Sequence, residues 1–583
     1  MRRGWGFLGL LALAACTGGE EVISEQRHEE CTSVAAGALP EQEQDQAPEA
    51  TLQQAATDGR EAVIVRYRSG SRLSAASVRS LGQVKAHYRF VPAVATRVTA
   101  EERARLAADP DVERIEPDLE LRSLGLPVLS PMPLLAAPKP AGFVDEYTEA
   151  LRLVQAPQVW DANEDGVLDT GAPTGERIKV CVIDTGIDPR HPELMGPYTK
   201  GYDFVDDDEF PRDETAGVWG IGHGTHVAGI IAAQLSSGGA TYPGMSQGGM
   251  VGVAPGVELL VARVLNVQER ASVSNVLRAL EWCKDEGANI ASLSLGGQAN
   301  MGRTAEEAFQ AAADAGMLII AASGNDSSPD FEAPLSYPAA YPSVLSVGAV
   351  DGQSTVAPFS NRGSGLDLVA PGVDVLSSVR LQGVTLGELD AAGERYNSRS
   401  IFFAPAGDYS GELVDCGVGD PHGCKTGTCE GFVAYVRLIP GYSPTRVAHS
   451  VIRQGAKAII FGTDESESAS WRMALEGPNP KWVPSVAVGR ESRPAVLKNL
   501  GKRVHVGLKG MDYAWFPGTS MAAPHVSGVA ALVWSARPTL KASEVRELLE
   551  RTAKDLGDKG RDPRYGHGLV QARDALDALQ QLP

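Results

Sequence analysis

Seven cysteines in 583 residues are far too few to staple a fold together, so this chain is not a disulfide scaffold. Basic residues are outnumbered: 53 Lys and Arg stand against 73 Asp and Glu, and the formal net charge is −20. That balance excludes a general nucleic-acid binder and suits a soluble exported protein. Aromatics make up only 6% of the chain, and no apolar run, that of the first 16 residues included, is long enough to span a bilayer. Glycine, at 64 residues, is plentiful, and the length requires several cores.

Residues 1–16 hold Arg2-Arg3, an apolar run from Trp5 to Leu13, and then Ala14-Ala15-Cys16. This reads as a signal peptide. Leu13-Ala14-Ala15-Cys16 resembles a bacterial lipobox, which places a lipid on Cys16. Residues 17–57 carry nine acidic residues and one arginine without apolar periodicity, a disordered spacer. Residues 58–122 read as a small α+β module. Its strands are expected at Ala62–Tyr67, Ala93–Val98 and Val112–Asp118, with a short helix over Ala75–Leu81 and a capped helix opening at Thr99. Residues 123–142 are a proline-rich linker.

From there strands and helices alternate. Near-continuous apolar strands are expected at Ile178–Ile183, Glu258–Val264, Ile290–Leu295, Met317–Ala322, Val344–Val350 and Leu366–Ala370. Such runs predict an α/β fold with a parallel sheet buried on both faces by helices. Three stretches carry chemistry. Lys179 to Asp184 is a buried strand ending in an acid. Gly222-His223-Gly224-Thr225-His226 leads into a helix. Gly518-Thr519-Ser520-Met521 opens a small-residue helix, and Pro524 is expected in its first turn. A serine at a helix N-terminus lies beside N–H groups that can hold a negative oxygen. His223 would remove the serine proton and Asp184 would orient the imidazole. His226 and His525 are expected to be structural, and Asp188 to be exposed.

The order Asp184, His223, Ser520, with these flanking residues, resembles the subtilisin-like serine peptidases, or subtilases. The resemblance runs from about Arg152 to the C-terminus apart from one insertion. It implies a parallel sheet with helices on both faces, over residues 143–380 and 511–583. It also implies a propeptide in residues 58–122 that aids folding and inhibits, and a protease-associated domain inserted at residues 381–510. Asn325, in Ser323-Gly324-Asn325, would donate to the oxyanion, with the Ser520 backbone N–H as second donor. Ser294, Leu295 and Gly296, with Ala271 opposite, would bind extended peptide by strand addition. The implied partners are polypeptide substrates and the chain's own propeptide, with no nucleic acid. Membrane contact comes only through the lipid of the precursor, and the location is the cell envelope or outside it. Processing is expected between Leu121 and Phe143.

Structural Ca2+ is expected at Asp161, Asn163, Asp165 and Asp169, an EF-hand-like start with Gly166 at the sixth position and no acid at the twelfth. A second acidic loop, Asp206 to Asp213, is a weaker match, and catalysis itself needs no cofactor. Two of Cys416, Cys424 and Cys429 are expected to pair, and the sequence leaves open which two. A Gly-x-Ser-x-Gly stretch, Gly244 to Gly248, follows no strand and is set aside. The rival class is an inactive surface-binding protein on the same fold, which requires a lost triad residue. None is lost.

Overall fold

The protein is described from a computed structural model. It describes residues 59–69, 83–124, 146–214, 222–243, 245–424, 431–439, 441–466, 473–477 and 479–581. Cys16, the acidic spacer, the helix expected at Ala75–Leu81, most of the proline-rich linker and Cys429 lie outside these residues.

The N-terminal module is an antiparallel sheet of β1 (Glu61–Tyr67), β2 (Gln83–His87), β3 (Ala93–Val98) and β4 (Val112–Pro117), in the order β2-β3-β1-β4. Alternation along β1 sorts the side chains to opposite faces. Val63, Val65 and Tyr67 pack under helix α1 (Ala100–Ala107) with Leu106. Thr99 and Glu102 close a reciprocal capping box at the start of α1. Ile64, Ala86 and Ala93 face the other way, into the core of the main domain. One further strand, β5 (Glu120–Ser123), follows the module.

Two short helices, α2 (Glu149–Leu153) and α3 (Pro157–Trp160), precede the main sheet. That sheet contains β6 (Lys179–Asp184), β7 (Tyr198–Asp203), β8 (Glu258–Arg263), β10 (Ile290–Leu293), β12 (Leu318–Ala322), β13 (Leu345–Val350) and β14 (Leu368–Pro371). Its order is β14-β13-β12-β10-β6-β8-β7, and every pair is parallel. Helices α4 (His223–Ala232), α5 (Val273–Asp285), α6 (Arg303–Asp314) and α9 (Thr519–Ala536) cover it. Val180 and Val182 of β6 face α4 and α9, while Cys181 and Ile183 face α5. Cys181 is disulfide-bonded to Cys283 of α5. The edge strand β7 is absent from the sequence reading because Thr199, Lys200 and Gly201 break its apolar pattern. Two short strands, β9 (Arg270–Ser272) and β11 (Leu295–Gly296), stand outside this sheet.

The insertion leaves and returns side by side. Strands β15 (Val375–Ser378) and β24 (Tyr513–Phe516) pair antiparallel, and the next pair out is β16 (Val384–Ala391) with β23 (Arg503–Met511). Between them lie β17 (Glu394–Tyr396), β18 (Arg399–Ser400), β19 (Gly407–Asp415), β20 (Phe432–Arg437), β21 (Ala456–Gly462) and β22 (Ser485–Val488), with helices α7 (Pro444–Arg453) and α8 (Arg493–Leu497). These strands join β16 and β23 in one eight-stranded sheet with its own core, including Leu389, Phe432, Ile460 and Val506. Cys416 pairs with Cys424. Because the chain re-enters the main domain where it left, the insertion need not disturb the sheet.

Helices α10 (Ala542–Thr552) and α11 (Ala572–Gln580) complete the described fold. Helix α9 corrects one expectation. It begins at Thr519, so Pro524 is past the first turn. The carbonyl of Ser520 therefore loses its intrahelical donor. The Ser294 hydroxyl replaces that donor at 2.8 Å, which is why the proline is tolerated there. Among the described residues no helix is long and apolar enough to cross a membrane.

Candidate active site

Parallel strands deliver their C-terminal ends to one edge, and the site is assembled there. Asp184 closes β6 and His223 opens α4; both are buried. Gly222 precedes the histidine at φ 111°, and a Cβ there would lie 2.7 Å from the Arg380 backbone nitrogen. Only glycine allows this tight entry. Asp184 Oδ1 lies 2.7 Å from His223 Nδ1 and also accepts the Thr185 N–H. In the neutral ring the carboxylate thus holds the proton on Nδ1 and leaves the lone pair on Nε2. Burial works against a charged imidazole. The Asp184 carboxylate, with Glu269 and Asp213 behind it, outweighs burial and raises the His223 pKa to about 9.

The other two histidines face no carboxylate. His226 stacks on Phe516 at 4.2 Å, and its Nε2 lies 3.1 Å from the carbonyls of Val375 and Ala514. Burial lowers its pKa to about 3. His525 Nδ1 is 2.7 Å from the Met521 carbonyl, and burial lowers its pKa to about 4. Both stay neutral within the core. Asp188 corrects the expectation of exposure. It is buried, with its carboxylate held by the Arg190 guanidinium and the Leu381 N–H.

Ser520 is the second residue of α9 and is fully buried. Its hydroxyl donates to the carbonyl oxygen of Leu124, and His223 Nε2 has no hydrogen-bond partner among the described residues. Asn325, just past β12, donates Nδ2–H to the same Leu124 oxygen at 2.5 Å. Its own amide oxygen accepts from Thr519 N–H and from the Thr519 hydroxyl, both at 2.9 Å. Those two donors fix which way the amide points. Gly324 makes this approach possible: at φ 113° a Cβ would lie 2.1 Å from Asn361 Nδ2.

Leu124 arrives on β5, which lies between β9 and β11 and pairs antiparallel with both. Leu121 pairs with Ala271, and Ser123 with Leu295. Ser294 contributes its backbone: its carbonyl accepts the Leu124 N–H at 3.1 Å, while its hydroxyl is turned to Ser520. Leu121 and Leu124 are buried, and Arg122 points out. A Cβ on Gly296 would sit 3.1 Å from Leu124 Cδ1, so its absence opens the leucine pocket. The space left beside β5 has a volume of about 520 Å3, and among the described residues none of the insertion lines it. The sequence reading named Ala271, Leu295 and Gly296 as cleft edges. It placed Ser123 and Leu124 inside the processing window Leu121 to Phe143 only as the start of a linker, and it missed Glu269, which reads as a solvated loop acid between Gln268 and Arg270.

The carboxylates of the acidic loops are engaged by the protein's own donors. Asp161 is fully buried, and its carboxylate accepts from Asp165 N–H, Gly166 N–H and the Tyr147 hydroxyl. Asn163, Asp165 and Asp169 are exposed, and Asp169 turns to the Ala162 N–H. Donors from the loop itself occupy the side chains that were expected to share a metal. In the second loop Asp206 pairs with Arg263, and Asp207 with Arg278. Among the described residues no three His, Cys, Asp or Glu side chains come together as a metal cluster.

Comparison with known proteins follows this geometry. The model of the subtilase family matches residues 175–400 and 463–568, more than half of the chain. The interval between the two matches falls inside the eight-stranded unit. The thermophilic serine proteinase of a Bacillus species is 41% identical over 202 residues, covering 34% of this chain and 45% of that one. Subtilisin Savinase of Lederbergia lenta is 41% identical over 205 residues, covering 35% of this chain and 67% of the relative. The chain thus spans less than half of the first relative's length and about two thirds of the second's. Fervidolysin of Fervidobacterium pennivorans, described as a keratinolytic enzyme related to subtilisin, shares the fold at a TM-score of 0.54. It is 22% identical, with 90% of this chain and 61% of that one covered.

Proposed function

The chain belongs to the subtilase family, and from that premise we propose that it is a serine endopeptidase that matures by cutting itself after Leu124. The observation that carries this reading is the Leu124 carbonyl. Its oxygen is held by Ser520 Oγ and Asn325 Nδ2, while the residues before it run as the middle strand between two cleft edges. Asn325 and the two strand edges would hold a substrate about to be cleaved in this way, and for attack the Ser520 hydroxyl turns its proton from the Leu124 oxygen to His223 Nε2.

In the proposed reaction Ser520 Oγ attacks the Leu124 carbonyl carbon as His223 Nε2 takes the hydroxyl proton. Asp184 keeps the imidazole oriented and stabilises its charge. Asn325 Nδ2–H and the Ser520 backbone N–H receive the oxyanion. The bond to Gly125 breaks, and His223 gives its proton to the leaving amine. Water then attacks the acyl-enzyme, with His223 again taking a proton, and Ser520 is regenerated. No step uses a metal.

Residues 58–124 act in this reading as a propeptide whose last strand inhibits until it leaves. Export through residues 1–16, with a lipid on Cys16, would tether the precursor. A cut after Leu124 leaves that lipid on the released module, so the mature enzyme is free of the membrane.

The test is expression of the full chain in a host lacking other proteases. The mature protein is expected to begin at Gly125 by N-terminal sequencing and to be labelled by a serine-directed fluorophosphonate. A stable full-length chain that takes no label would favour the inactive binding protein. A start elsewhere would move the scissile bond.

The His223 pKa sets a pH dependence. The general base must be unprotonated, and in the closed precursor its pKa is raised to about 9. Self-processing is therefore expected to be slow at pH 6 and to rise about tenfold per pH unit until it levels near pH 9. First-order conversion rates of freshly refolded precursor would measure this. A rate flat from pH 6 to 9 contradicts the protonated imidazole.

A further inference from the structure

Glu269 is a buried charged group that this chemistry leaves unused. It stands just before β9, 8% exposed, with a backbone φ of 58°, a left-handed conformation uncommon outside glycine. Its carbonyl accepts the Ser123 N–H at 3.1 Å, and its carboxylate Oε2 accepts the Ser123 hydroxyl. Oε1 is buried and has no hydrogen-bond partner. A carboxylate held away from water with one oxygen unpaired is unfavourable. The neighbourhood offsets this only in part. Burial opposes its ionisation most strongly, and the Asp184 and Asp213 carboxylates add to it in the same direction. Arg270, next in sequence, is turned away to Glu120 at 2.8 Å. The His223 imidazolium favours the ionised carboxylate by its charge, and the Ser123 hydroxyl by its hydrogen bond.

We propose that Glu269 is a specificity-determining residue for the substrate position filled here by Ser123, one before the cleaved carbonyl, and that it selects lysine or arginine there. The proposal rests on the endopeptidase reading above. Ser123 offers a single hydroxyl donor and satisfies one carboxylate oxygen. An ammonium or guanidinium group carries several donors and a positive charge, and so reaches the second oxygen as well. An apolar residue at that position would leave both oxygens unpaired, the costlier arrangement. The chain's own serine is an intermediate occupant: it is bound, and a basic substrate residue would be bound better. Discrimination arises here from a polar site that an apolar side chain leaves unsatisfied.

The test uses enzyme matured from the full chain and chromogenic peptide amides Leu-Arg-Xaa-Leu, copying Leu121 to Leu124. Xaa is lysine, serine, glutamate or norleucine, the last matching lysine's stem without its charge. Wild type is expected to favour lysine over norleucine by at least about tenfold in kcat/KM, the scale of a charge-assisted hydrogen bond, with serine between. In Glu269→Gln the ratio should collapse toward one, and Glu269→Lys should favour glutamate over lysine. The wild-type ratio stands without any variant: norleucine equal to or better than lysine overturns the proposal. So does an unchanged ranking in a Glu269→Gln enzyme that still takes the fluorophosphonate label. If wild type cleaves none of the peptides and takes no label, the endopeptidase reading fails and this inference falls with it. Cleavage without lysine preference removes the inference alone.

Discussion

Ser520→Ala is expected to abolish peptide hydrolysis and to accumulate as the uncut chain. Removing the nucleophile of such a triad costs roughly 10⁶-fold in kcat, which turns self-processing within minutes into none over weeks. The substitution is mild for the fold. Ser520 is buried within the first turn of α9, but the residue flanking that helix is Gly518, and alanine is the best helix former. The Leu124 carbonyl loses one donor and keeps Asn325 Nδ2. The ladders of β5 to β9 and β11 are backbone bonds and survive. The variant should therefore be a stable closed precursor, unlabelled by fluorophosphonate. Added wild-type enzyme should cut it slowly, since its Leu124 carbonyl is already enclosed by its own cleft. Mass spectrometry of the chain over time checks this. Normal maturation of Ser520→Ala in a protease-deficient host would show that another enzyme makes the cut.

Much of this site can be read along the chain because it depends on local chemistry. The Lys179–Asp184 run has the continuous apolar character of a strand buried on both faces, so its acid must emerge at the sheet's end. Gly222 before His223 and Gly518 before Ser520 announce tight entries into helices. Asn325 follows a glycine at a strand end, where an amide can reach sideways. In each case the signal lies within a few residues of the functional group, and the parallel sheet brings the ends together.

What escaped the reading depends on contacts made far along the chain. Leu124 looks like the beginning of a proline-rich linker. Its place is set by Ser294 between β10 and β11, Asn325 beyond β12 and Ser520 in α9. Glu269 sits between Gln268 and Arg270, a context that reads as solvent-exposed; β5 covers it. Asp188 has the glycine neighbour of a surface turn, yet Arg190 and the first residue of the insertion bury it. Cys181 and Cys283 are 102 residues apart in sequence, and only the packing of α5 on β6 makes them partners. The Asp161 loop has the spacing of a calcium motif, and Asp161 itself turns inward to donors of the loop and to Tyr147. Spacing reports which side chains are near one another and says little about where their lone pairs point.

Asn325→Ala should lower kcat by about 10²–10³ while changing KM little, because the lost hydrogen bond matters most when the carbonyl oxygen becomes negative. The geometry sharpens the expectation. Thr519 N–H and the Thr519 hydroxyl clamp the amide oxygen, so Nδ2 has one orientation and needs no reorganisation as charge develops. Alanine leaves those two Thr519 donors without their acceptor, and a stability loss of about 1–3 kcal/mol is expected alongside the kinetic effect. Asn325→Asp separates the two consequences. Aspartate keeps an acceptor for Thr519 at the same size, so the stability should largely return. It replaces the N–H donor with an oxygen that repels the oxyanion, so kcat should fall at least as far as in the alanine variant. Steady-state kinetics on a small peptide amide, with thermal unfolding of the same preparations, would read both. An unchanged kcat in either variant would mean that another group fills the oxyanion site, and that the short contact between Asn325 and Leu124 binds the carbonyl equally in ground and transition states.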